Sequence, residues 1–211
     1  MNLALFVSGT GSNARVIIDR FQAQPEYGIT VKLVVSNKAT AAALAMATER
    51  GVPTLVLERK RFRETDELLH QLTHFEVDFI ALAGFLWLVP TYLVKAFPKR
   101  IVNIHPALLP DYGGKGMYGA NVHRAVKANG EEESGITIHY VNEHYDEGAI
   151  IYQAATRLEP TDTPEGIAKR VLCLEHANYW RVLRTLKAGD LRSDTKEKES
   201  NQVTKKGLST N

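Results

Sequence analysis

Along the first hundred residues, short unbroken apolar runs alternate with stretches whose apolar residues recur every three or four positions. The former are consistent with strands buried on both faces, and the latter with amphipathic helices. Leu3–Val7, Thr30–Ser36, Pro53–Leu57, Phe79–Ala83 and Arg100–Ile104 are the expected strands. Between them, Asn13–Gln22 (with Val16, Ile17 and Phe21 at helical spacing), Ala39–Arg50, Glu64–Phe75 and Pro90–Phe97 are the expected helices. Strand and helix repeating at this spacing predict an α/β fold, a mostly parallel twisted sheet with helices on both faces in a Rossmann-like arrangement. Ligands of such sheets sit at the carboxyl ends of the strands, at a switch point, so functional residues are expected just after Val7, Ala83 and Ile104.

The pattern changes after Ile104. Pro106 to Gly119 is rich in Gly and Pro and reads as a long loop, followed by a helix over Ala120–Asn129 that Gly130 ends. Gly135–Val141 alternates, and pairs with Ala149–Ala155 as antiparallel strands at the C-terminal edge of the sheet. Thr163-Pro164 supplies an N-cap and a first-turn proline for a helix running to about Lys187. One domain over 1–188 is expected. The remaining 189–211 is charged, with Leu191, Val203 and Leu208 its only aliphatics, and is expected to be disordered because it has too little apolar surface to offset chain entropy.

Composition narrows the function classes. Hydrophobic residues make up 44% of the chain, enough for a sizeable core, and the net charge of +2 provides no polybasic field for nucleic acid or an acidic membrane. The longest apolar run, Phe79 to Val89, is bracketed by Asp78 and Pro90 and is too short to span a bilayer. No Lys or Arg precedes Arg15, so the basic start of a signal peptide is missing, and a cytoplasmic location is expected. A single cysteine, Cys173, excludes an internal disulfide or a multi-cysteine zinc site and is expected to be a small buried residue. His70 and His74 lack the glutamate of a metalloprotease motif and are assigned to a solvated or half-buried helix face.

Three segments could carry chemistry. Ser8-Gly9-Thr10-Gly11-Ser12-Asn13 joins the first strand to the first helix, where glycines and a helix N-terminus favour an anion. With Ala14 it also fits the dinucleotide pattern. However, Ser36-Asn37-Lys38 stands where that pattern needs an acidic residue, so a terminal phosphate is the better ligand. Asn103-Ile104-His105-Pro106 follows the fifth strand; Asn103 and His105 project to one side, an amide donor beside a group that moves protons near neutral pH. Asp146, before Gly148, offers a carboxylate that could fix a histidine tautomer, or serve only as a turn former.

Taken in order, Ser8-Gly9-x-Gly11-Ser12-Asn13, Leu82-Ala83-Gly84-Phe85, Asn103-Ile104-His105-Pro106-Ala107-Leu108-Leu109-Pro110, His123-Arg124 before Gly130, Asp146-x-Gly148 and Glu175-His176 resemble the phosphoribosylglycinamide formyltransferase family. The resemblance covers Met1 to about Lys187. It implies transfer of a formyl group from 10-formyltetrahydrofolate to glycinamide ribonucleotide in purine synthesis, with no metal. It implies a catalytic trio of Asn103, His105 and Asp146, and nucleotide contacts from Gly11, Ser12, Asn13 and Glu175. Folate contacts are implied for Arg63, Leu86, Trp87, Leu88, Arg100, Asn103 and Val141. Trp87 departs from the Arg of some relatives and Ala107 from the Ser of many; the glycine-rich 111–119 loop, longer than the shorter family form, is expected to be mobile and to cover the phosphate end. The partners implied are small molecules, with no nucleic acid or membrane, for a monomer or weak homodimer. Rival readings are a 10-formyltetrahydrofolate hydrolase, a methionyl-tRNA formyltransferase, a nicotinamide-dependent oxidoreductase and a non-catalytic phosphate-binding module.

Overall fold

A computed structural model describes residues 1–189. The chain runs β1 (Asn2–Val7), α1 (Ser12–Ala23), β2 (Thr30–Ser36), α2 (Ala42–Glu49), β3 (Thr54–Val56), α3 (Arg59–Glu64), α4 (Glu67–His74), β4 (Phe79–Leu82), α5 (Thr91–Ala96), β5 (Ile101–His105), α6 (Ala120–Ala128), β6 (Glu133–Tyr140), β7 (Ile150–Arg157) and α7 (Pro164–Ala188). The strands form one sheet in the order β3-β2-β1-β4-β5-β6-β7. β1 to β5 pair in parallel; β6 and β7 join antiparallel at the edge, as the alternation in Gly135–Val141 predicted.

Alternation along each strand divides the core. β1 sends Leu3, Leu5 and Val7 to one face, where they pack with Ile17 and Phe21 of α1, Val122 of α6 and Leu183 of α7. It sends Ala4 and Phe6 to the other, against Phe62 of α3, Leu72 of α4 and Leu93 of α5. Burying each Leu, Ile or Phe side chain is worth about 1.5–3 kcal/mol, so covering both faces is what makes near-continuous apolar strands stable.

Three expectations are corrected. The helix expected over Glu64–Phe75 begins at Glu67 as α4, and a separate short helix, α3, precedes it. Glu58 caps α3 by accepting the Lys60 and Arg61 amides at 2.8 and 3.0 Å, and extended backbone at Thr65 ends it before α4 begins. The alanine-rich helix starts at Ala42 rather than Ala39, because Ser36 Oγ accepts the Lys38 amide in a turn that precedes it. Cys173 is exposed, since the inward stripe of α7 runs through Ile167, Val171, Tyr179 and Leu183. His70 and His74 are exposed as expected. The expected disorder of the tail falls on 190–211, outside the described residues.

Candidate active site

Strand order reverses between β1 and β4, and the loops after β4 and β5, with Asn13 of α1, line one cavity of about 650 Å³. Two hydrogen bonds fix these loops to their surroundings. Ser8 Oγ accepts the Leu86 amide at 2.9 Å, and the buried Tyr179 hydroxyl on α7 donates to the Leu82 carbonyl at 2.9 Å. Thr137, fully buried on β6, pins the turn after β5. Its hydroxyl donates to the Ala107 carbonyl at 2.7 Å and accepts the Leu109 amide at 2.9 Å.

The β5–β6 register builds the reactive end. Asn103 pairs with His139 and His105 with Thr137, so all four side chains lie on one face while Ile136 and Ile138 point into the core. The β6–β7 loop returns Asp146 to this face in a left-handed conformation with φ 57°. Gly148, two residues on, is required by close approach: a Cβ there would lie 1.6 Å from the Tyr140 carbonyl oxygen. Asp146 Oδ1 accepts from Asn103 Nδ2 at 3.3 Å and Oδ2 from the Gly114 amide at 2.9 Å. His105 Nδ1 and His139 Nε2 each lie 3.6 Å from a carboxylate oxygen.

The hydrogen bonds define the tautomers. His139 Nδ1 is 2.8 Å from the Tyr140 carbonyl, which can only accept, so Nδ1 carries the proton and Nε2 accepts from Asn103 Nδ2 at 3.1 Å. His105 Nε2 donates to the Tyr112 carbonyl at 2.8 Å, leaving Nδ1 as the nitrogen that faces Asp146 and can take up a proton. Burial pushes the His105 pKa down, against the opposing pull of Asp146 and the Tyr112 carbonyl. Burial alone would raise the Asp146 carboxyl, but the hydrogen-bond donors around it, the Gly114 amide among them, and the charge His105 can carry outweigh it and hold the group below the usual carboxylate range. The outcome is a neutral imidazole beside a carboxylate.

The cavity also takes polar side chains from α1, α6 and α7. Asn13 Nδ2 donates to Glu175 Oε2 at 2.6 Å, and burial raises the Glu175 pKa. Asn13 Oδ1 and His123 Nδ1 are buried without a protein partner. Leaving such atoms unpaired costs about 1–3 kcal/mol each, so each offers a hydrogen-bonding site to a polar group that enters the cavity.

Of the residues singled out from the sequence, the cavity brings together Asn103, His105, Asp146, Asn13, Glu175 and Leu86. Gly11 and Ser12 border Asn13 but do not line it. Gly11 has φ 73°, and a Cβ there would meet Ala43 Cβ at 2.5 Å, so α1–α2 packing by itself requires this glycine. Arg63 and Arg100 are exposed and do not line the cavity; Arg100 donates to the Ala96 carbonyl at 2.9 Å. Trp87 packs at 5.6 Å from the Phe62 ring with Arg59 over its face, Leu88 is exposed, and Val141 packs on the second core face. The 111–119 loop lines one wall of the cavity through Gly114–Gly119. His139 was missed, and His123, noted in the His123-Arg124 motif, was given no role. The alternation in β6 carried the signal for His139, but only strand register sets it beside Asn103.

The α/β fold thus gathers an amide, two imidazoles and a carboxylate at the carboxyl end of β5, groups that can donate hydrogen bonds and move protons. The formyl transferase family model matches residues 1–183, and the chain belongs to that family. It is 48% identical over 186 residues to a chloroplastic phosphoribosylglycinamide formyltransferase of Arabidopsis thaliana, covering 86% of this chain and 63% of that relative; the chain thus spans under two thirds of its length. It is 35% identical to phosphoribosylglycinamide formyltransferase of Escherichia coli, covering 91% of this chain and 90% of that protein. The crystal structure of glycinamide ribonucleotide transformylase 1 from Symbiobacterium toebii superposes with a TM-score of 0.81 at 32% identity, covering 90% of this chain and 88% of that one.

Proposed function

We propose that the chain transfers the formyl group of 10-formyltetrahydrofolate to the primary amine of glycinamide ribonucleotide, a step of purine synthesis. The observation that carries this reading is the Asp146 carboxylate, held by Asn103 and Gly114 and flanked at 3.6 Å by His105 and His139, in a cavity that Asn13 and Glu175 also line. Family membership and the near full-length match to the Escherichia coli protein support it.

Asn13 and Glu175 would hold the nucleotide, with Gly11 and Ser12 at the start of α1 toward its phosphate. Leu86 would meet the folate from the cavity wall, with Trp87, Leu88 and Val141 behind it and Arg63 and Arg100 toward its acidic tail. The amine attacks the formyl carbon, a C–N bond forms, and the carbonyl oxygen becomes an oxyanion. Both hydrogens of the Asn103 amide are engaged, and the longer bond, 3.3 Å to Asp146, is the one an oxyanion would replace. His105 Nδ1, neutral and next to Asp146, takes the proton leaving the amine and returns it to the folate nitrogen as the old C–N bond breaks. Holding amine and formyl group together supplies part of the acceleration, since effective molarities can reach about 10⁵ M or more. The reading includes a cytoplasmic location, which a fluorescent fusion would test; plastid fluorescence, in keeping with the name of the plant relative, would overturn it.

The test is formyl transfer followed by absorbance of the product folate, with and without glycinamide ribonucleotide. Turnover that requires the nucleotide and disappears in His105→Ala is the expected result. Equal folate release without nucleotide would make the chain a hydrolase, and no release in either case would overturn catalysis.

A further inference from the structure

We infer that Tyr112 is a positioning residue for His105, locked by its phenol to the turn between α6 and β6. This rests on the reading of His105 as the proton carrier. Tyr112 lies in the loop after β5 with φ 57°, a left-handed conformation that a non-glycine residue takes rarely and at a cost. In that conformation its carbonyl accepts from His105 Nε2 at 2.8 Å. Its phenol donates to Glu131 Oε1 and accepts from Asn129 Nδ2 at 2.7 Å. Asn129 and Glu131 belong to a turn with its own backbone bonds, Gly130 to Lys127 at 3.1 Å and Glu131 to Val126 at 3.3 Å. One side chain therefore ties a fixed turn to the carbonyl that decides which nitrogen of His105 carries the proton. Freed from that tie, Tyr112 can relax out of the left-handed region, and its carbonyl then leaves the imidazole. His105 also faces Asp146 from the β6–β7 loop, His139 from β6 and His123 from α6; Glu131 and Asp111 act on the phenol.

The experiment compares Tyr112→Phe and Glu131→Gln with the unaltered chain in formyl-transfer kinetics across pH, and in ¹⁵N-histidine NMR. Tyr112→Phe loses both phenol bonds. With one modest hydrogen-bonded tie removed, kcat is expected to fall about five-fold with both KM values within about two-fold. The acid limb of the kcat profile is expected to move to lower pH, because the Tyr112 carbonyl favours the charged ring. The His105 nitrogen shifts are expected to change from a single Nε2–H tautomer to a mixture. Glu131→Gln keeps an acceptor for the phenol and is expected to retain at least about half of kcat. Unchanged kcat, acid limb and tautomer in Tyr112→Phe would overturn the inference, as would loss in Glu131→Gln equal to that in Tyr112→Phe. If the unaltered chain transfers no formyl group to the nucleotide, the functional reading fails, and the tautomer alone decides: a mixture in Tyr112→Phe supports the tie and a single tautomer overturns it.

Discussion

Replacing Asp146 with asparagine keeps the shape of the side chain and removes its charge, and the surroundings give the size of the effect. Both carboxylate oxygens accept hydrogen bonds, from Asn103 and Gly114, whereas an asparagine offers one acceptor and one donor. Whichever way the amide turns, a donor faces a donor, at a cost of about 1–3 kcal/mol. The proton on His105 matters more. A carboxylate 3.6 Å from a cationic imidazole stabilises it by about 4–5 kcal/mol at an effective dielectric of about 20. That is an upper bound for the proton-transfer step, since the group keeps some solvent contact with 12% of its side chain exposed. A fall in kcat of about 10²–10³ follows, with nucleotide affinity measured by calorimetry nearly unchanged. The pH profile supplies a second check. In the unaltered chain His105 must be neutral to accept the amine proton; burial lowers its pKa, so activity is retained at neutral pH and lost as pH falls below the ordinary histidine value. Removing Asp146 takes away a contribution that raises that pKa, so the acid limb should move to lower pH. Turnover of Asp146→Asn within about three-fold of the unaltered chain would refute the proton-transfer reasoning.

Three further outcomes are expected. His139→Phe deprives Asn103 Nδ2 of the acceptor at 3.1 Å and should lower kcat about ten-fold; steady-state kinetics showing no loss would remove His139 from the site. Gly148→Ala sets a Cβ against the Tyr140 carbonyl, so β6 and the Asp146 loop must separate, and thermal melting should shift down by about 5–10 °C; an unchanged midpoint would mean the loop yields freely. Glu175→Gln removes the negative charge while keeping an acceptor for Asn13, and should weaken nucleotide binding about ten-fold in calorimetry while sparing kcat at saturation; equal affinity would place the nucleotide elsewhere.

Much of this protein was legible in the chain alone. Apolar runs such as Leu3–Val7 and Phe79–Ala83 reveal buried parallel strands, because a strand covered on both faces can be apolar throughout. The spacing of Asn103 and His105 places them on one face of β5 whatever the rest of the molecule does. What only the tertiary structure decided is the partner of each of these groups. His139 meets Asn103 through the β5–β6 register, which depends on a strand beginning some thirty residues later. Asp146 reaches the same face because Gly148 lets its loop approach the end of β6 closely, a contact with no local sequence period. Gly11 looked like a phosphate residue from its neighbours, yet its lack of a Cβ is already demanded by Ala43 on α2. Strand and helix follow from local periodicity, whereas the site is a set of contacts between elements far apart in the chain, set by register, close backbone approach and the burial and charge that lower the pKa of both His105 and Asp146.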